Sequence, residues 1–152
     1  MSYKIFIDAD ACPVKDETYR VAERHNFHVY VVANSFIKTP LEPWIERIIV
    51  PQGLNIADDW IAERADEKTI VITNDVPLAD RVVKKGGVAL SPNGRLFDAA
   101  SIGAALATRN LMEDLRSGGM ITGGPKPFSA RDRSSFLSAL DLSIRRLKKT
   151  FE

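Results

Sequence analysis

The sequence predicts a three-layer α/β/α sandwich whose sheet is mainly parallel and has about five strands, with a helical C-terminal part. Three observations predict it. Short β-branched or apolar runs alternate with segments of helical periodicity over residues 1–97. One run, Thr69-Ile70-Val71-Ile72-Thr73, is almost wholly apolar, as expected of a strand covered on both faces. Aspartates recur at or just past predicted strand ends, where open parallel sheets bind their ligands.

The elements follow in order. Tyr3 to Asp8 reads as the first strand, and Pro13 suits the first position of a helix because its fixed φ and missing N–H cost nothing there. Val14, Tyr19, Val21 and Ala22 give that helix an apolar face, and His25-Asn26 closes it. His28 to Ala33 is β-branched and aromatic, a second strand; residues 39–44 read as a short helix or turn. Arg47 to Val50 is a third strand stopped by Pro51. Ile56, Trp60, Ile61 and Ala65 put a helix over Asn55 to Ala65. Thr69 to Thr73 is the fourth strand, Val76 to Lys85 a helix ended by Gly86-Gly87, and Val88 to Leu90 the fifth strand. Pro92-Asn93-Gly94-Arg95 is a turn built on Asn-Gly, of the kind that closes hairpins. From Asp98 onward no clear strand remains. Ile102, Leu106, Leu111, Met112 and Leu115 predict a long helix ending near Gly118-Gly119, and Ser129 with Asp132 approximates a capping box before the stripe Phe136, Leu137, Leu140, Ile144 and Leu147. The whole is read as one domain, with its core over residues 1–97 and its helical part over 98–152.

At 152 residues the chain has room for a sizeable core, and 45% hydrophobic with 27% charged residues is ordinary for a soluble globular protein. A formal net charge of +1 excludes a basic coat for DNA but neither a nucleic-acid strand nor a small anion. The single Cys12 cannot form an internal disulfide, which suits a reducing compartment. No signal peptide is seen and no apolar run reaches the ~20 residues a membrane span needs, so the expectation is a cytoplasmic protein with no membrane partner.

The chemistry concentrates in the acids. In Ile5-Phe6-Ile7-Asp8-Ala9-Asp10, residues i and i+2 of a strand face the same side, so Asp8 and Asp10 would face one spot if strand geometry persisted. Close carboxylates repel, and a hard divalent ion with oxygen ligands is the usual remedy. Asp58 and Asp59 open a helix, Asp75 follows a buried strand and Asp80 lies five residues on. Taken singly, each suits a structural role, as a cap, a turn or a first-turn acid. Taken as a set, Asp8, Asp10, Asp58 and Asp75 are the catalytic candidates, and Asp8, Asp58, Asp75 and Asp80 the candidate ligands of Mg²⁺ or Mn²⁺.

Other residues are secondary. Asn34 could hydrogen-bond a substrate or a site aspartate, or equally close a turn. The backbone of Gly123-Gly124-Pro125 could cradle phosphate, although no Lys-Ser/Thr follows it, and Arg131 and Arg133 could bind phosphate bidentately. Arg145, Arg146, Lys148 and Lys149 form a basic tail, either a solvated helix face or a nucleic-acid contact. Cys12 reads as a small packed residue. A rival enzyme uses the same opening. An apolar strand followed by Asp-x-Asp also resembles haloacid-dehalogenase-like phosphatases, with Asp8 as nucleophile, Asp10 as acid/base and Thr73 on phosphate, but Ala11 and Cys12 do not match the usual continuation.

The motifs Asp-Ala-Asp-Ala-Cys-Pro-Val at 8–14, Val-Ala-Asn at 32–34, Ala-Asp-Asp-Trp-Ile-Ala at 57–62 and Asp-Val-Pro-Leu-Ala-Asp-Arg at 75–81 resemble the YaiI/YqxD family. So do Gly-Gly-Pro at 123–125 and Asp-Arg-Ser at 132–134, and the set spans most of the chain. The core of that family resembles PIN-like nuclease domains, whose acids hold Mg²⁺ or Mn²⁺ for phosphodiester hydrolysis. The resemblance implies a metal-dependent nuclease, with RNA ahead of DNA as partner. It carries over to Asp8, to Asp58 with Ile61 and Ala65, to Asp75 after Thr73, and less directly to Asp80. Thr73 and Asn34 are candidate substrate-binding residues beside them. The part after Gly94 departs from ordinary PIN domains, so a non-catalytic nucleotide- or RNA-binding module is the other expectation.

Overall fold

The computed structural model describes residues 2–10, 12–119 and 127–152. Among them, six strands form one sheet: β1 (Lys4–Asp8), β2 (His28–Ala33), β3 (Ile45–Ile49), β4 (Thr69–Ile72), β5 (Val88–Leu90) and β6 (Leu96–Phe97). Five helices accompany them: α1 (Lys15–His25), α2 (Ile56–Arg64), α3 (Val76–Lys84), α4 (Ile102–Ser117) and α5 (Ala130–Phe151). The spatial order is β3-β2-β1-β4-β5-β6, parallel throughout except for β6, which pairs antiparallel with β5.

The architecture follows from the alternation of side chains along each strand. Ile5, Ile7, Val29, Val31, Ile70 and Ile72 face one layer, where Tyr19, Val21 and Ala22 of α1 and Phe136, Leu140 and Ile144 of α5 cover them. Phe6, Val32, Val71 and Ala89 face the other, under Ile61 and Ala62 of α2, Leu78, Ala79 and Val82 of α3, and Ile102 and Ala105 of α4. All four β4 residues are buried, as its unbroken apolar run requires, and each fully buried Ile contributes about 1.5–3 kcal/mol by leaving water. The helical C-terminal part is not peripheral, because α5 supplies one wall of the main core.

The local signals act largely as predicted. Asn26 ends α1 in the left-handed region at φ 61°, where its N–H reaches the Ala22 and Glu23 carbonyls. The capping box is complete: the Ser129 hydroxyl accepts from the Asp132 N–H, and the Asp132 carboxylate accepts from the Ser129 N–H. The Asn-Gly turn closes the β5–β6 hairpin, and Gly94 (φ 92°) presses against α5 so closely that a Cβ would lie 2.7 Å from the Ser135 carbonyl. Several boundaries differ from the sequence reading by one residue, and two differ by two. Helix α1 starts at Lys15, with Val14 as its N-cap and Pro13 in the preceding turn. Strand β3 starts at Ile45, because pairing with Val29 extends it two residues before Arg47.

One topological fact positions the site. From β1 the sheet grows through β2 and β3 on one side and through β4, β5 and β6 on the other. The chain leaves β1 for α1 on one face and leaves β4 for α3 on the opposite face. Their diverging exits open a crevice at the carboxyl ends of β1 and β4, the point where such sheets take ligands.

Candidate active site

Asp8 ends β1 on the same face as Phe6, so its carboxylate is directed toward the α2/α3 layer. Asp58 stands in the first turn of α2, and Asp75 follows β4 as the N-cap of α3. These three, with Asp10 and Asn34, line a single cleft of about 340 Å³. Its rim is the segment Gly53-Leu54-Asn55-Ile56-Ala57. That rim depends on backbone freedom: Gly53 has φ 155° and no room for a Cβ beside Ile56, and Asn55 sits left-handed at φ 64°.

A short hydrogen-bond chain ties the two central strands together beneath the cleft. The Asp75 N–H donates to Thr73 Oγ1 at 3.0 Å, and the Thr73 hydroxyl donates to Asp8 Oδ2 at 2.8 Å. Asp75 Oδ1 accepts the Leu78 N–H at 2.9 Å, completing the cap of α3. One oxygen of Asp8 and one of Asp75 therefore have a fixed structural partner, and the other oxygen of each is left for the cleft. Thr73, expected to meet substrate, is 2% exposed and its hydroxyl is used inside the protein. In a haloacid-dehalogenase-like reading Thr73 would have to exchange its bond to Asp8 for one to phosphate.

The electrostatics are those of crowded anions. Burial pushes Asp8 up to about 6, against the lowering effect of the Thr73 hydrogen bond, and Asp58, Asp10 and Asp75 push it the same way. Asp58 is also raised, by burial first and then by Asp75, with Arg81 opposing. Arg81 itself pairs with Asp59 at 2.7 Å, pinning α2 to α3 beside the cleft. The donors are all oxygen, the chemistry that suits Mg²⁺ or Mn²⁺. Among the described residues, however, no three His, Cys, Asp or Glu side chains converge into a ready-made metal cage. Of the modes of ion binding, only the one in which Mg²⁺ keeps several waters and uses one or two carboxylates is open to such an arrangement.

The remaining candidates fall elsewhere. Asp80 does not line the cleft and pairs with Lys84 at 2.8 Å on α3. Arg131 is exposed in the first turn of α5. Arg133, expected to hold phosphate, instead pairs with the buried Glu17 of α1 and stacks over Phe128 with its guanidinium 5.3 Å from the ring. It is a strut between α5 and α1. Gly123 and Gly124 lie outside the described residues. The basic tail lies at the opposite edge of the sheet: Lys148 donates to the His25 carbonyl at the far end of α1, and Arg145 pairs with Asp141. Sequence reasoning missed the rim at 53–57 and the role of Arg81; a Gly two residues before an Asn that opens a helix was the signal the sequence offered for the rim.

These features coincide with a family assignment. The model of the uncharacterised YaiI/YqxD family matches residues 6–146, so the chain belongs to that family. Curated relatives named only as UPF0178 proteins agree. One from Rhodopseudomonas palustris (strain BisB18) is 60% identical over 97% of this chain and 95% of its own length. One from Azorhizobium caulinodans is 60% identical over 95% of this chain and 91% of its own. Another from Bradyrhizobium diazoefficiens is 58% identical over 96% of this chain and 87% of its own. No solved structure matches the chain significantly.

Proposed function

We propose that this protein is a divalent-cation-dependent phosphodiesterase acting on nucleic acid, with RNA ahead of DNA. The observation that carries the reading is the cleft at the β1/β4 switch point, into which Asp8, Asp10, Asp58 and Asp75 are gathered from three separate segments. Burial first, and the neighbouring aspartates after it, disfavour the ionised forms of Asp8 and Asp58 in this small cleft, which raises both carboxyls. A site that retains such repulsion is best explained by a cationic ligand. The preference for RNA rests on the resemblance of the core to PIN-like nuclease domains.

Bound Mg²⁺ or Mn²⁺ would acidify a water and offset charge on the phosphate. Asp8, Asp58 and Asp75 are the residues to hold it, directly or through water. The chain's own part is orientation. Thr73 fixes the Asp8 carboxylate, the α3 cap fixes that of Asp75, and Asp10 adds charge at the exposed lip. Asn34 offers an amide donor to a phosphate or sugar oxygen from across the cleft.

The test is cleavage of a mixed-sequence single-stranded RNA in Mn²⁺ by wild type and by Asp8→Asn/Asp75→Asn. Cleavage by the wild type alone is expected. Equal cleavage by both proteins, or cleavage by neither while Mn²⁺ is bound, refutes the nuclease.

A further inference from the structure

The β2–β3 connection carries an aromatic side chain that the fold does not bury. Phe36 is 72% exposed, even though the Arg47 guanidinium of β3 lies over its ring, 4.4 Å from the centroid. Arg47 in turn donates to the Ile37 carbonyl at 3.3 Å, which ties the stacked pair to the connection. No carboxylate among the described residues pairs with Arg47, so its charge is not neutralised within the protein. The register of the sheet sets the place of this pair. Arg47 is level with Val31, and Ile49 with Ala33, the last residue of β2. Asn34 comes next and lines the acidic cleft. Two residues span at most about 7 Å of extended chain, so the Phe36 Cα lies within that distance of the Asn34 Cα. The pair therefore stands beside the cleft, on its Asn34 side. Exposed apolar side chains scattered singly are ordinary. An exposed ring that already carries a guanidinium with no counter-ion offers more: a flat apolar surface for a base and a cation for the phosphate beside it. The cleft lacks both. Among the described residues that line it are four aspartates and no lysine, arginine or aromatic side chain.

We propose that Phe36 and Arg47 form a base-stacking platform for a single-stranded nucleic acid whose scissile phosphate lies among the aspartates. The strand leaves the cleft past Asn34, lays a neighbouring base on the Phe36 ring and sets a phosphate against the Arg47 guanidinium. Stacking uses the face of a base and not its edges, so the platform tolerates any sequence. A base inside a duplex has both faces covered, so the platform selects unpaired strands. The proposal deepens the nuclease reading and rests on it for the direction of the strand.

The test is binding in Ca²⁺, scored on strands that a gel shows to be intact. Short single-stranded oligoribonucleotides of one sequence, each with 2-aminopurine at a different position, are titrated with wild type, Phe36→Ala, Phe36→Tyr, Arg47→Ala and Leu111→Ala. The emission of 2-aminopurine falls when the base stacks. Phe36 and Arg47 are both exposed, so replacing them leaves the core intact. Wild type should quench the probe, and Phe36→Ala should lose that quenching together with about tenfold in affinity. Phe36→Tyr should keep both. Arg47→Ala should bind more weakly and with a shallower dependence on salt. Leu111→Ala, which removes an exposed apolar side chain from α4, should match wild type. No quenching by wild type at any position, or equal affinity and quenching in Phe36→Ala, overturns the platform. So does a Phe36→Ala protein that binds as wild type but sediments at a lower mass, because the patch is then a contact between copies. The nuclease reading fails separately. Stacking by a protein that cleaves nothing supports the platform without the nuclease, and cleavage by wild type and Phe36→Ala with the same KM sinks the platform alone.

Discussion

Replacing Asp8 by Asn should make the cation-free protein more stable at neutral pH while removing its proposed activity. In the folded protein the Asp8 carboxyl is raised from 3.8 to about 6, chiefly by burial and then by the neighbouring aspartates. A raised carboxyl favours the folded state when protonated. Its contribution is fully present below pH 3.8 and is lost as the pH climbs through about 6. A shift of that size corresponds to about 3 kcal/mol between the two limits, an upper figure because the carboxylate retains some contact with solvent. Asn has the same shape, still accepts the Thr73 hydrogen bond, and carries no charge at any pH. In EDTA at pH 8, urea unfolding should find Asp8→Asn more stable by up to about 3 kcal/mol, a rise in Tm of very roughly 6–12 °C for a chain of this size. At pH 4 the two proteins should converge. Equal stability at pH 8, or an advantage that persists undiminished at pH 4, would refute the account of a crowded anionic site.

Thr73→Val should leave Asp8 and the Asp75 N–H without their shared partner, costing about 1–3 kcal/mol in urea unfolding, while Thr73→Ser restores most of it. Gly94→Ala should cost more than the ~1 kcal/mol of an unstrained glycine site, because a Cβ would strike the α5 backbone at Ser135; thermal unfolding reads it directly. Ser129→Ala should lose about 1 kcal/mol by removing the N-cap of α5, with a matching fall in denaturation midpoint.

Much of the fold was legible because each layer writes its own periodicity. The apolar run from Thr69 to Thr73 read as a doubly covered strand, which the structure gives as Thr69–Ile72, and the stripe through Phe136, Leu140 and Ile144 read as a helix with one buried face. Strand β6 was not legible as a strand, since two residues have no period and Leu96-Phe97 pairs only because the Asn-Gly turn returns it to β5. The early start of β3 was equally hidden, because partners in β2 decide it. In the site, the strand-end rule pointed to Asp8 and Asp75 and the first turn of a helix to Asp58, all of which line the cleft; Asp10 lines it from a turn, because β1 ends at Asp8 and the i, i+2 alternation does not persist. What a sequence cannot carry is the aim of a side chain across elements distant in the chain. Asp80 turns to Lys84, Arg133 to Glu17 and Thr73 to Asp8, and each of those choices is made by tertiary packing.

The most direct test of the central claim is a Mn²⁺ titration followed by calorimetry, on wild type and on Asp8→Asn at pH 7.5. The carboxylate cleft predicts saturable binding by the wild type and its loss, or at least a tenfold weakening, in the variant. Undiminished binding by Asp8→Asn, or no binding by the wild type, would contradict it.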